Sequence, residues 1–228
     1  MAAVEFGSTS LISDPSLVNY YKLENVNDEI GSDTLTNNNV ATFTAGKFNN
    51  AATLVKASSQ SLTHAPGTDI FSGDADRAFS CWFKPASQPG ADTNMTPLMW
   101  GDNVRVFAIW YSDVGGVKKL GVTDGNTMDS RTNQILSTGT YYNLIASYAA
   151  SGQTWKLYLD GALFTTSVSD APAAGSNALD IGNYFGVSHF ADGQVDDVAI
   201  FSRQLTQADI DIINGIVRIS EEDRAFFI

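Results

Sequence analysis

From Leu17 to Phe201 the chain alternates apolar and polar positions in short runs, separated by Gly, Asn, Asp and Pro. Successive side chains of a strand point to opposite faces, so each run can be read as two half-faces. "LVNYYKLE" (17–24) sets Val18, Tyr20 and Lys22 against Asn19, Tyr21 and Leu23. "RAFSCWFKP" (77–85) places Phe79, Cys81 and Phe83 on one face, with Pro85 ending the run. "NVRVFAIWYSD" (103–113) and "KKLGVTD" (118–124) flank Gly115-Gly116, a hairpin signal. "YYNLIASYAA" (141–150) precedes "QTWKLYLDGALFTTSV" (153–168), where Trp155, Leu157 and Leu159 alternate with Lys156, Tyr158 and Asp160, and Asp160-Gly161 supplies the turn. "ALDIGNYF" (178–185) and "GQVDDVAIF" (193–201) complete the set. Many short strands with turns between them predict an all-β fold, a two-sheet sandwich or a barrel.

One helix is expected after Phe201. Thr206 is an N-cap residue with Asp209 three positions on, close to a capping box, and Leu205 and Ile210 can form a hydrophobic staple. Asn214-Gly215 makes a left-handed stop. No linker or fixed-period repeat divides the chain. The pattern therefore implies an N-terminal arm (1–16), one domain (17–214) and a C-terminal tail (215–228).

Composition narrows the classes. A net charge of −12 opposes nucleic-acid backbones and anionic membranes, so neither is expected as a partner. Twenty of the twenty-five acids are Asp, a residue of turns and caps, which fits a turn-rich β protein. Cys81 is the single cysteine and reads as a buried, inert thiol. No stretch is apolar over the roughly 18 residues of a membrane helix, and residues 1–12 lack the basic start and apolar run of a secretion signal. The two histidines, His64 and His189, form no zinc pattern, and no Gly-x-Ser-x-Gly elbow occurs.

In order along the chain, "VNYYKLE", "NDEIGSD", "GKFNNAATLV", "FSCWFKP", "WKLYLDG", "LDIGN" and "GQVDDVAIFSRQLTQADI" resemble the laminin G-like jelly roll of the concanavalin A-like lectin and glucanase superfamily, in its compact bacterial and viral branch. The resemblance implies two antiparallel sheets packed face to face, a jelly-roll sandwich. The chain departs from the family's pattern at Asn49, where Gly is usual, and in "SSQSLTHAP", which lacks the usual Asp-rich turn. Glucanases of this superfamily carry Glu-x-Asp-x-x-Glu on a central strand; here no Glu stands between Glu29 and Glu221, so hydrolysis by a paired-carboxylate mechanism is not expected.

"QVDDVAIF" poses a physical question. Strict alternation puts Asp196 with Val198 and Ile200, and Asp197 with Val195, Ala199 and Phe201. Both faces are apolar, and a buried, unpaired carboxylate costs several kcal/mol or takes up a proton. Backbone amides of a neighbouring turn, Arg203, or a hard cation with oxygen ligands can each compensate it. The resemblance implies a structural calcium ion (Ca2+) where the N-terminal segment meets the last strand, carried over to Asp28 and Asp196, with Glu24 as a weaker addition.

Aromatic side chains that stack on sugar rings are the other candidates. Trp82 and Trp155 lie in regular runs and read as packing residues. Trp100, beside Gly101-Asp102-Asn103, and Tyr184, beside Asn183 and near His189, read as loop residues, and Trp110-Tyr111 closes a strand; these five are the candidate ligand-binding residues. The expectation is a non-catalytic recognition module for a glycan or cell-surface protein, located extracellularly or on a virion surface. A structural or assembly protein, such as a phage or virion surface component, is the alternative. The apolar tail, ending in Phe226, Phe227 and Ile228, is expected to serve a homo-oligomer or particle interface.

Overall fold

The computed structural model describes residues 6, 9–64, 74–101, 106–124, 129–168, 178–185 and 188–215. The tail expected to act as an interface lies outside these residues, as does most of the extreme N-terminus.

Among the described residues fifteen strands form two antiparallel sheets. They are β1 Leu17–Tyr21, β2 Thr36–Asn38, β3 Thr42–Ala45, β4 Asn50–Leu54, β5 Ser61–His64, β6 Arg77–Pro85, β7 Asn94–Gly101, β8 Val106–Val114, β9 Val117–Thr123, β10 Asp129–Asn133, β11 Tyr142–Ala149, β12 Thr154–Leu159, β13 Ala162–Val168, β14 Ala178–Ile181 and β15 Gly193–Phe201. The eight-stranded sheet runs β13-β12-β11-β6-β15-β4-β3, with β1 also paired to β15, and the seven-stranded sheet runs β10-β9-β8-β7-β14-β5-β2. This is the expected two-sheet jelly roll. Both expected tight turns form, with φ of 60° and 81° at Gly115-Gly116 and of 48° and 84° at Asp160-Gly161.

The core between the sheets takes Phe79, Cys81 and Phe83 from β6, Trp155 and Leu157 from β12, and Val195, Val198 and Ile200 from β15. Burial pushes the Cys81 thiol up to about 12, which keeps it protonated and inert. A second core lies on the outer face of the eight-stranded sheet. There Phe6 and Leu11 of the arm, and Ile210 and Ile213 of α1 (Gln207–Ile213), cover Tyr20, Ile145, Ala199 and Phe201. Helix α1 has the expected capping box of Thr206 and Asp209, and Gly215 follows it at φ 70°. No helix of the described residues is long and apolar enough to cross a membrane.

The strand β7, "NMTPLMWG", was not legible as a strand, because Pro97 cannot donate to a ladder. It nevertheless sits between β8 and β14. The register shift between Met95 and Leu98 takes the proline out of the ladder, in the manner of a bulge. Trp100, expected in a loop, is consequently a core residue at 3% exposure, packed near Phe79.

A second bulge corrects the reading of the Asp-Asp strand. Against β6, Asp196 pairs with Trp82 but Ala199 pairs with Ser80, so Asp197 and Val198 together face one residue, Cys81. Asp197 takes φ 53°, a left-handed conformation that Asp tolerates better than most residues. The extra residue resets the alternation: Val195, Val198 and Ile200 all face the inner core, while neither carboxylate enters it. At the same point β15 exchanges partners, pairing with β4 up to Val195 and with β1 from Val198 on.

Each carboxylate holds one of the segments that meet there. Asp197 Oδ2 accepts from the Phe6 amide at 2.6 Å and Oδ1 accepts from the Tyr20 hydroxyl. Asp196 Oδ2 accepts from the amides of Lys47 and Phe48 at 2.8 and 3.0 Å. The turn can settle on it because residue 46 is glycine; a Cβ there would stand 2.7 Å from the same oxygen. Asn49, in place of the family's usual Gly, holds φ 41°. Arg203 does not reach Asp196: it bonds Asp14 and Asp209, tying the arm to the helix start and holding the Asp14 carboxyl down to about 2.

Burial pushes the Asp196 carboxyl up to about 7, the Asp197 charge adds to the rise, and the Phe48 and Lys47 amides offset part of it. Its Oδ1 is buried without a hydrogen-bond partner among the described residues, a cost that is smaller for a carboxyl holding its proton. A carboxyl raised in the folded state binds more protons there than in the unfolded chain between pH 4 and 7. Stability attributable to Asp196 therefore falls as pH rises through that window, by up to about 1.4 kcal/mol per pH unit. Asp196→Asn removes this slope, so melting temperatures of the variant and the parent should converge near pH 4 and separate, variant higher, toward pH 8. Parallel curves would show that the carboxyl is ionised throughout. Asp197→Ala should destabilise the fold by about 3–6 kcal/mol, as the Phe6 amide and the Tyr20 hydroxyl each lose a hydrogen bond to a charged group, measured by urea unfolding. A change within error would place the arm's anchorage elsewhere.

Candidate functional site

The three acids expected to share calcium are each engaged separately. Asp28 Oδ1 accepts from the amides of Tyr20 and Ile30 at 2.9 and 3.1 Å, and its Oδ2 accepts from Asn19 Nδ2 at 2.7 Å. Glu24 accepts from Asn49 Nδ2 at 2.9 Å, and Asp196 caps the turn at Lys47 and Phe48. Calcium takes six to eight oxygens around one point. Among the described residues no three His, Cys, Asp or Glu side chains are grouped to hold a metal ion. The residues at these positions therefore do not fit the calcium that the resemblance implies. The compensation for the Asp-Asp pair comes from backbone amides and the Tyr20 hydroxyl.

The five aromatic candidates divide between two faces of the seven-stranded sheet. Trp100 and Tyr111 face inward. Tyr111 is fully buried, its hydroxyl donating to Gln88 and accepting from the Leu136 amide at 3.1 Å, so neither residue is available to a ligand. The strand β8 also continues past Tyr111 to Val114 rather than ending there. Alternation sends Val106, Ala108 and Trp110 to the outer face, where Val106, Ala108 and Met99 form a small apolar floor.

On that floor the other three candidates come together. Trp110 is half-buried, with the Tyr184 ring 5.6 Å away edge-on and the His189 ring 5.6 Å away at 46°. Tyr184 and His189 meet at 5.3 Å, and Phe185 lies edge-on to Tyr184 at 4.4 Å. A bridge between Tyr184 and Ser188 closes the loop that carries these rings. Phe185 and His189 both hold left-handed backbone, at φ 56° and 52°. Non-glycine residues in that region cost of order 1–3 kcal/mol each and concentrate at ligand clamps. Arg131, from the edge strand β10, lies 5.1 Å over the Trp110 ring and donates to Asn94 Oδ1 and Ser112 Oγ, both at 3.1 Å. "DSRTN" has no apolar alternation, so neither β10 nor the role of Arg131 could be found in the sequence.

The electrostatics leave these rings neutral. Burial pushes the His189 imidazole down, and the nearby positive charges of Lys56 and Arg131 push it further. Burial and the charge of Asp124 push the Tyr184 hydroxyl up. The Trp110 indole N–H is buried without a hydrogen-bond partner among the described residues. Neutral rings with a planar cation at their border offer stacking and hydrogen bonding.

Solved structures share this fold at low identity. Domain 4 of AbnA, a GH43 extracellular arabinanase from Geobacillus stearothermophilus solved in complex with arabinotriose, aligns with a TM-score of 0.63 and 18% identity, over 89% of this chain and 98% of that one. The binding domain of botulinum neurotoxin DC, in complex with SialylT, aligns with a TM-score of 0.66 and 13% identity, over 89% of this chain and 52% of that one. The receptor-binding domain of botulinum neurotoxin type G gives 0.66 and 12%, over 88% and 51%. The chain thus spans about half the length of the toxin domains it matches. A search of curated proteins found no matching relative. The laminin G-like family model matches residues 56–211. With more than half of the chain matched and the two-sheet jelly roll in place, the protein belongs to the concanavalin A-like lectin/glucanases superfamily.

Proposed function

We propose that this domain is a non-catalytic recognition module that binds a glycan on the outer face of its seven-stranded sheet. The observation that carries the reading is the neutral aromatic group of Trp110 from β8 with Tyr184 and His189 from one loop, three sequence candidates brought together beside one apolar floor. Sugar rings present C–H faces that stack on such rings, while neighbouring polar groups bond their hydroxyls. Arg131 and the Ser188–His189 pair, joined at 3.2 Å, stand where they can do so. The complexes of structural neighbours with arabinotriose and SialylT support a carbohydrate as the partner class.

A glycoside hydrolase would need two carboxyl groups facing one another across the bond to be cleaved. Asp196 and Asp197 are adjacent in sequence, but each is committed to backbone or hydroxyl donors of a different, distant segment. They act as anchors.

Tyr184→Ala and Trp110→Ala should each weaken glycan binding about tenfold, because the C–H face of the sugar loses a ring to stack on. Tyr184→Ala should leave the melting temperature nearly unchanged, since that ring is only half-buried. A glycan array followed by titration calorimetry measures this. Binding by the parent that survives both substitutions would move the site elsewhere, and an array without any bound glycan would sink the reading.

A further inference from the structure

Strand β10 brings no apolar residue into the sheet. Its sequence, "DSRTN", pairs with β9 along one edge and adds nothing to either hydrophobic core. An edge strand of that composition stands at the weak end of a fold's local stability. Ser130 Oγ lies 3.4 Å from Thr165 Oγ1 of β13, and Arg131 reaches further, across the sheet. Register explains that reach. Trp110 of β8 and Arg131 of β10 are both cross-strand partners of Gly121 on β9, so the three stand in one row on the outer face.

With no side chain on the middle residue of the row, Arg131 crosses β9. Its Nη1 donates to Ser112 Oγ on β8 and to Asn94 Oδ1 on β7, two residues that are themselves paired across those strands. The guanidinium is thereby fixed 5.1 Å over the Trp110 ring. The backbone demands glycine at the same position. A Cβ on residue 121 would stand 1.9 Å from the Ser130 carbonyl oxygen and 2.7 Å from the Arg131 Cα. These are main-chain atoms of β10 and cannot turn aside, so any side chain there would lift β10 off β9.

We infer that Arg131 is the positioning residue of the aromatic site, and that Gly121 is the residue that lets it reach Trp110. The inference rests on the glycan reading of that site. Beyond any sugar hydroxyl it bonds, Arg131 acts through two rings. It holds the Trp110 indole in place by cation–π contact. It also bears on His189, whose imidazole is faced, among the described residues, by the Lys56 and Arg131 cations, by the Ser188 hydroxyl at 3.2 Å from Nδ1 and by the Trp110 and Tyr184 rings. Both cations oppose an imidazolium, so Arg131 helps keep that ring neutral. A lysine in its place would keep the charge and lose the planar group that stacks on indole.

Nuclear magnetic resonance of the full chain without ligand is the first test. In Arg131→Gln the Trp110 indole N–H resonance, assigned from Trp110→Phe, should shift and exchange faster with solvent. The His189 titration midpoint should rise in the same variant, because a cation that lowered it is gone. Arg131→Lys should keep the midpoint near that of the parent while the indole resonance moves as in Arg131→Gln. Calorimetry then follows with arabinotriose, the sugar in the complex of a structural neighbour, and with cellotriose and galactotriose. Whichever trisaccharide the parent binds should lose about tenfold in affinity in Arg131→Gln, with the melting temperature nearly unchanged. Gly121→Ala should lose as much, and the double variant no more than either, because both act through one guanidinium. An indole resonance and a midpoint unmoved in Arg131→Gln would overturn the inference, as would unaltered affinity in that variant or losses that add in the double variant. A parent that binds none of the three sugars would overturn the glycan reading alone, while the two ligand-free measurements still decide the role of Arg131.

Discussion

The two-residue bulge at Asp197 and Val198 is the constraint on which the rest of this structure depends. A strand buried on both faces has no room for two carboxylates in regular alternation, because each would enter an apolar layer unpaired. The bulge turns both away from the inner core and spends them on neighbours. Asp196 gathers the amides of the turn at Lys47 and Phe48, and Asp197 gathers the Phe6 amide and the Tyr20 hydroxyl. The left-handed backbone at Asp197 is offset by these bonds to charged oxygen. At this point β15 also releases β4 and takes up β1, so one local distortion sets the order of three strands.

The second core follows from that exchange. Once β1 pairs beside the end of β15, the outer side of the sheet carries Tyr20, Ala199 and Phe201, an apolar surface that needs a cover. Phe6 and Leu11 come down from the arm, and Ile210 and Ile213 from α1. Arg203 bonds Asp14 on one side and Asp209 on the other, which joins the two covers at a half-exposed guanidinium. Away from this cover the same sheet face stays open, and there Lys47 and Lys84 rest on Trp82 and Tyr141.

The opposite sheet shows how a bulge also decides which aromatics are available. Met95–Leu98 breaks the register of β7 around Pro97, and downstream of it Trp100 points into the core while Met99 points out. On β8 alternation parts the neighbouring residues Trp110 and Tyr111, one to the outer face and one, fully buried, to a bond with Gln88. The rings that remain outside are neutral, close together and bordered by a cation, a setting for stacking on a sugar.

By itself the sequence determined the all-β class, the inner face of β6, both glycine-bearing hairpin turns, the capped helix and the buried thiol. Each of these rests on local rules: alternation with a period of two, positive φ at turn residues, and side-chain capping three positions away. The aromatic group was half legible, since Trp110, Tyr184 and His189 were candidates and the last two are neighbours in the chain, but nothing in the chain order said that Trp110 meets them. Only tertiary structure decided that Arg131 borders them, that Trp100 and Tyr111 do not join them, and that Asp28, Glu24 and Asp196 part to separate donors. The physical reason is the same in each case. A bulge adds one residue with no signature in hydrophobic periodicity, yet it reverses the face of every side chain beyond it. Partners of a buried carboxylate come from segments more than a hundred residues away, as Lys47 and Phe48 do for Asp196. Contacts of that range are set by how the sheets close, and local pattern does not reach that far.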